Sequence, residues 1–144
     1  MQYIITCPEH IDTSITLPAS KSISNRALII QALTKEGMMP ENLSDCDDTE
    51  VIIRGLSKQS DVIDIKAAGT AMRFMTAYLS ATDGEYTITG TERMKHRPIG
   101  ILVDALRYLG AEIEYVGEEG YPPLHIRGRQ LEGGSLQIPG NVSS

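Results

Sequence analysis

One pattern occurs three times along the chain. Ile15-Thr16-Leu17, Ile63-Asp64-Ile65 and Leu136-Gln137-Ile138 each read as a short alternating strand, and each runs into a loop of small residues. The loops are Pro18-Ala19-Ser20-Lys21-Ser22, Lys66-Ala67-Ala68-Gly69-Thr70 and Pro139-Gly140-Asn141-Val142-Ser143-Ser144. After the first two comes an apolar helix, near Ser24–Thr34 and Ala71–Ser80; so few polar positions predict burial rather than a surface site.

A second helix follows in each unit. Asp47-Asp48-Thr49-Glu50 opens the first, with Asp expected at the N-cap and Glu three residues on. The other is expected to start at Pro98, a favoured first helical position. It presents Ile99, Leu102, Val103, Leu106 and Leu109 on one face and ends at Gly110. Strands are expected at 112–116 and 124–127, joined by a turn containing Gly and Pro. The unit is thus strand–helix–strand–helix–strand–strand. In the first copy, which is compressed, the middle strand is placed at Met38–Leu43. The third copy has barely begun at Ser144. Repeats of this kind bury their helices against one another, so the 144 residues are expected to be a fragment of an α/β protein.

A strand, a small loop and a helix start present free backbone N–H groups to an anion. The side chains sharpen that weak signal. Lys21, Ser22, Ser24, Asn25 and Arg26 follow the first strand, Gly69, Thr70 and Arg73 the second, and Ser143 and Ser144 the third; Arg93, Lys95, His96 and Arg97 cluster before Pro98. Ammonium and guanidinium groups bind phosphate and carboxylate, as a compact charge and as a planar fork. A cation taken alone reads as a solvated surface charge, a reading that weakens where Lys21 and Arg26 stand together beside three polar donors; Arg73, inside an apolar helix, is equally compatible with a partner for a buried acid. Asp47 and Asp48 look like paired acids, but helix capping accounts for them with less. His125, in an expected strand, reads as a hydrogen-bonded structural histidine.

Several classes are disfavoured. A net charge of −6 argues against a nucleic-acid partner. His10, His96 and His125 are too dispersed for a metal site, and neither Cys7 nor Cys46 has a ligand at metal spacing, so no metal is expected. Two cysteines without a disulfide framework, together with the lack of a secretory signal pattern and of a long apolar run, predict a cytoplasmic protein with no membrane partner. Nucleotide-binding Gly-rich motifs are absent.

With those residues in view, the chain resembles the 5-enolpyruvylshikimate-3-phosphate synthases. The stretches that carry the likeness are Leu17-Pro18-Ala19-Ser20-Lys21-Ser22-Ile23-Ser24-Asn25-Arg26-Ala27-Leu28, Ala68-Gly69-Thr70-Ala71-Met72-Arg73, Arg93-Met94-Lys95-His96-Arg97-Pro98-Ile99 with Leu102-Val103-Asp104-Ala105-Leu106, and Gly140-Asn141-Val142-Ser143-Ser144. The sister enolpyruvyl transferases that act on a nucleotide sugar characteristically carry Lys-Asn-Ala in the first loop, unlike this chain. The resemblance implies two α/β domains, each of three βαβαββ units. Residues 1–19 would belong to the other domain, and 20–144 would form part of the amino-terminal one, the carboxy-terminal domain being absent. It further implies transfer of the carboxyvinyl group of phosphoenolpyruvate to the 5-hydroxyl of shikimate 3-phosphate, without a cofactor. In that scheme Lys21 contacts phosphoenolpyruvate and takes part in proton transfer, Gly69 and Arg97 line the phosphoenolpyruvate site, Ser22 and Arg26 hold shikimate 3-phosphate, and Ser143 and Ser144 hold its phosphate. The chain departs from the family at Ala19, often Gly; at Lys66-Ala67, usually Gly-Asn; and at Phe74, commonly Pro. A non-catalytic phosphate-ligand module is the alternative for these residues in isolation.

Overall fold

The structure, a computed structural model, describes residues 3–34, 38–57 and 60–140. Its elements are α1 (Lys21–Thr34), α2 (Asp47–Leu56), β1 (Val62–Asp64), α3 (Gly69–Ser80), β2 (Gly84–Thr89), α4 (Glu92–Lys95), α5 (Gly100–Tyr108), β3 (Glu112–Tyr115) and β4 (Leu124–Gly128). The strands form one sheet in the order β1-β2-β4-β3. β1 and β2 are parallel, α3 supplying the crossover that parallel neighbours require, and the hairpin β3–β4 adds antiparallel pairs. β1, α3, β2, α5, β3 and β4 thus complete one strand–helix–strand–helix–strand–strand unit, the architecture expected for the second copy.

Alternation along the strands decides which side is core. Ile63, Tyr86, Ile88, Ile113, Leu124 and Ile126 are buried and pack with Met72, Met75 and Leu79 of α3 and Val103 and Leu106 of α5. The opposite face carries a ladder of charges: His125 Nε2 lies 2.9 Å from Glu85 Oε1, with Arg127 also on Glu85 and Arg129 on Glu112. Hydrogen bonds from His125 and Arg127 hold the Glu85 carboxyl below the ordinary carboxylate value. His125 is thereby the hydrogen-bonded structural histidine expected of it.

The outer copies differ from expectation. Residues 15–17 form no strand; Ile15 and Leu17 are 75% and 81% exposed. Nor do 38–43 or 136–138 form strands. A strand is half of a pairing, and none of the described segments lies beside these three to complete a ladder. Instead, 135–139 run along α5, where with Ile101, Asp104, Ala105 and Tyr108 they line an open groove of about 520 Å³.

The helices also need correcting. α3 is buried as predicted, but α1 buries only Ser24, Asn25 and Leu28 and leaves Ile23, Ile30 and Leu33 exposed, because α2 and α3 cover it from one side alone. Cys46, not Asp47, is the N-cap of α2, and it makes no side-chain cap bond there; Asp47, Asp48 and Glu50 occupy the first turn, where the helix dipole favours them. α5 starts at Gly100 rather than Pro98, since Ile99 (φ −132°) lies off the helical conformation and gives its N–H to Gly120 O at 2.9 Å.

One strained residue leads into α3. Lys66 has φ 52°, left-handed backbone that costs a residue with a β-carbon about 1 kcal/mol. Asp64 Oδ1 accepts its N–H at 2.8 Å, and its carbonyl accepts the Thr91 N–H at 3.0 Å, so the conformation is held from both sides. Glycine, which the family usually has here, takes this φ freely but loses more chain entropy on folding. Lys66→Gly is therefore expected to stabilise the chain by about 0.5 kcal/mol in urea unfolding; a loss of stability would contradict this account of the turn.

Candidate functional site

The N-terminal ends of α1 and α3 carry the polar residues singled out in the sequence. α1 begins at Lys21, and Ser20 Oγ accepts the Ile23 N–H at 3.4 Å. Two buried side chains tie this helix to the segment leading into α2. Ser24 Oγ accepts the Ser44 N–H at 2.9 Å, and Thr49 Oγ1 donates to Asn25 Oδ1 at 2.8 Å. The exposed positions of the same turns, Lys21, Ser22 and Arg26, are left for other partners.

Lys21 Nζ lies 3.4 Å from Asp48 Oδ1, so Asp48 anchors the ammonium as well as serving the start of α2. Arg26 Nη1 donates to Ser22 O at 2.9 Å, and its guanidinium sits over the Phe74 ring, 5.5 Å from the centroid. α1 and α3 are thereby joined through an arginine and an aromatic ring.

Gly69 is buried at the first position of α3, and a β-carbon there would collide with the Arg97 guanidinium, which rests against the bare backbone. Arg73 Nη1 donates to Gly69 O at 3.0 Å. Burial first, and the Arg97 charge second, hold the Arg73 guanidinium below its ordinary value. Two guanidiniums thus converge on Gly69. Among the described ion pairs neither has a carboxylate, so Arg73 is not the partner of a buried acid. Cations gathered without a counter-charge suit a ligand that brings its own negative charge.

The cluster before Pro98 divides. Lys95 Nζ pairs with Glu92 at 2.7 Å, and His96 Nδ1 lies 2.7 Å from Glu92 O, so both are occupied by α4. Arg97 instead rests against Gly69. Ser143 and Ser144 lie outside the described residues. Sequence reasoning left Arg73 undecided and did not see Phe74 as a partner of Arg26. The departure from Pro at position 74 was the available signal. Cys46 also lies at the seam of α1 and α2, its Sγ 3.3 Å from Thr49 Oγ1. Burial acts to raise its thiol pKa, yet hydrogen bonds from Ser44, Thr49 and the start of α2 lower it overall.

Comparison with known proteins identifies the family of the chain. The family model described as EPSP synthase (3-phosphoshikimate 1-carboxyvinyltransferase) matches residues 5–59 and 53–144. A 3-phosphoshikimate 1-carboxyvinyltransferase of Bacteroides fragilis is 64% identical over 144 residues, covering 100% of this chain and 35% of its own length. One from Photobacterium damsela subsp. piscicida is 42% identical, over 93% of this chain and 38% of its own length. Among solved structures, EPSP synthase from Acinetobacter baumannii superposes with a TM-score of 0.74 at 23% identity, covering 87% of this chain and 34% of that one. The fold is therefore that of the enolpyruvyl transferases, and the chain spans about 35% of the length of the Bacteroides relative. Matched over residues 5–59 and 53–144, the chain belongs to the EPSP synthase (3-phosphoshikimate 1-carboxyvinyltransferase) family.

Proposed function

We propose that this chain is the amino-terminal part of an enzyme that transfers the carboxyvinyl group of phosphoenolpyruvate to the 5-hydroxyl of shikimate 3-phosphate and releases phosphate. The observation that carries the proposal is the convergence of Arg73 and Arg97 on Gly69, neither of them paired with a carboxylate among the described residues. Gly69 and Arg97 line the phosphoenolpyruvate site, Lys21 contacts the same substrate, and Ser22 and Arg26 hold shikimate 3-phosphate. Ser143 and Ser144 take its phosphate group. The exposure of residues 3–18 supports assigning 1–19 to an opposing domain and 20–144 to this one. A cytoplasmic location fits the same biosynthetic role.

The chemistry asks for what these residues offer. The substrate hydroxyl adds to the enol carbon of phosphoenolpyruvate while a proton reaches the methylene carbon. Loss of a proton from the resulting methyl group then expels phosphate and restores the double bond. Lys21 is the proton carrier in this scheme, and the guanidiniums balance the negative charge of both substrates. Catalysis in a cleft needs both walls, so the 144 residues alone are expected to show no turnover. A second reading, a phosphate-ligand module that binds without catalysis, applies to the chain in isolation, which spans about 35% of the length of the Bacteroides relative.

The test is Arg26→Ala in the full-length protein. Calorimetric titration with shikimate 3-phosphate should show affinity weakened by about 1–3 kcal/mol, the usual loss for a charged hydrogen-bonding partner. Unchanged affinity would remove Arg26 from the site.

A further inference from the structure

We infer that Phe74 is a positioning residue for Arg26: its ring holds the guanidinium in the orientation in which it receives the phosphate-bearing substrate. The inference rests on the role proposed for Arg26 above. Arg26 is an exposed, flexible side chain on α1, and such a group loses rotamer freedom whenever it is fixed by a ligand. Two contacts restrain it beforehand. Nη1 donates to Ser22 O at 2.9 Å, and the guanidinium lies 5.5 Å from the centre of the Phe74 ring. Phe74 is half-buried and is carried on α3, a helix anchored by its buried Met72 and Met75.

Stacking restrains one face of a guanidinium and leaves its N–H edge free. Among the described residues, Nε and Nη2 of Arg26 have no protein acceptor, so that edge is available to oxygen atoms of an anion. A proline, common in the family at this position, has no π face and could not hold the cation in this way. In this chain the restraint on Arg26 therefore comes from α3, the helix whose first turn also carries Gly69. The two anion subsites are coupled through one rigid element.

The test uses the full-length protein and Phe74→Leu, which keeps an apolar side chain but removes the ring. Phe74→Met is the second variant should leucine impair folding, and Phe74→Tyr is the rescue. Calorimetry and steady-state kinetics with shikimate 3-phosphate should show affinity weakened about two- to fivefold and KM raised in proportion, the range expected for an exposed cation–π contact. Turnover should be unchanged, and Phe74→Tyr should bind as the parent does. In an Arg26→Ala background the leucine substitution should have no further effect. Separately, NMR of the 144-residue chain should show the Arg26 side-chain protons shifted by the ring current, with the shift lost in Phe74→Leu. Affinity unchanged by Phe74→Leu while Arg26→Ala weakens binding would overturn the positioning role alone. A Phe74→Leu effect that persists in the Arg26→Ala background would reduce Phe74 to packing. A ring-current shift with no effect of Arg26→Ala on binding would instead locate the failure in the role assigned to Arg26, and the positioning role would fall with it.

Discussion

Alanine at position 128 is expected to destabilise the chain by about 3 kcal/mol or more, the upper end of what overpacking costs. Gly128 ends β4 opposite Gly84, where the strand passes beneath the C-terminal turn of α3. A β-carbon there would overlap the carbonyl oxygens of Thr82 and Leu79, backbone atoms that cannot swing aside as a side chain does. The next residue fixes the approach, since Arg129 gives its N–H to Ser80 O at 3.1 Å. Relief would require parting α3 from the sheet, and α3 supplies Met72, Met75 and Leu79 to the core. Urea unfolding of the 144-residue chain, followed by circular dichroism, measures the loss. A midpoint equal to the parent's would show that the α3–β4 approach is looser than described.

The same contrast between local and distant partners explains what the sequence made legible. α3, β3 and β4 fall close to their expected places because periodicity, burial and turn residues are local signals. The helix expected at Pro98 starts later because a distant carbonyl, Gly120 O, claims the Ile99 N–H. The strands expected at 15–17, 38–43 and 136–138 had the right alternation but needed neighbours, which no local pattern supplies. Asp47 was expected at the N-cap because its type favours that position; Cys46 stands there instead, while Asp48 turns to Lys21 across the α1–α2 seam. Lys21, Ser22, Arg26, Gly69 and Arg97, the residues proposed for the site, stand out in the sequence by their motifs. That Arg97 meets Arg73 rather than an acid depends on how α4 folds back over the start of α3, and spacing along the chain does not encode it.

Lys21→Met in the full-length protein is expected to lower turnover by about two to four orders of magnitude, the range for loss of a positioned proton-transfer group. The substitution should leave folding nearly intact. Lys21 Nζ is held by a half-exposed ion pair with Asp48, its side chain 51% exposed, and such pairs contribute little to stability. Methionine keeps the length of the apolar stem while removing the charge. The informative result is the split between kinetics and melting. Near-normal turnover with a lowered melting temperature would make Lys21 a structural residue, joined to Asp48 for the sake of α2.

The central claim is that the loops at α1 and α3, with Arg97, belong to a site that joins phosphoenolpyruvate to shikimate 3-phosphate. Phosphate release by the purified full-length protein, with both substrates supplied together and separately and the organic product identified by mass, tests it most directly. The account predicts phosphate only when both substrates are present, with one enolpyruvyl ether formed for each phosphate released. Release from phosphoenolpyruvate alone, or no release with both substrates and a folded protein, would contradict it.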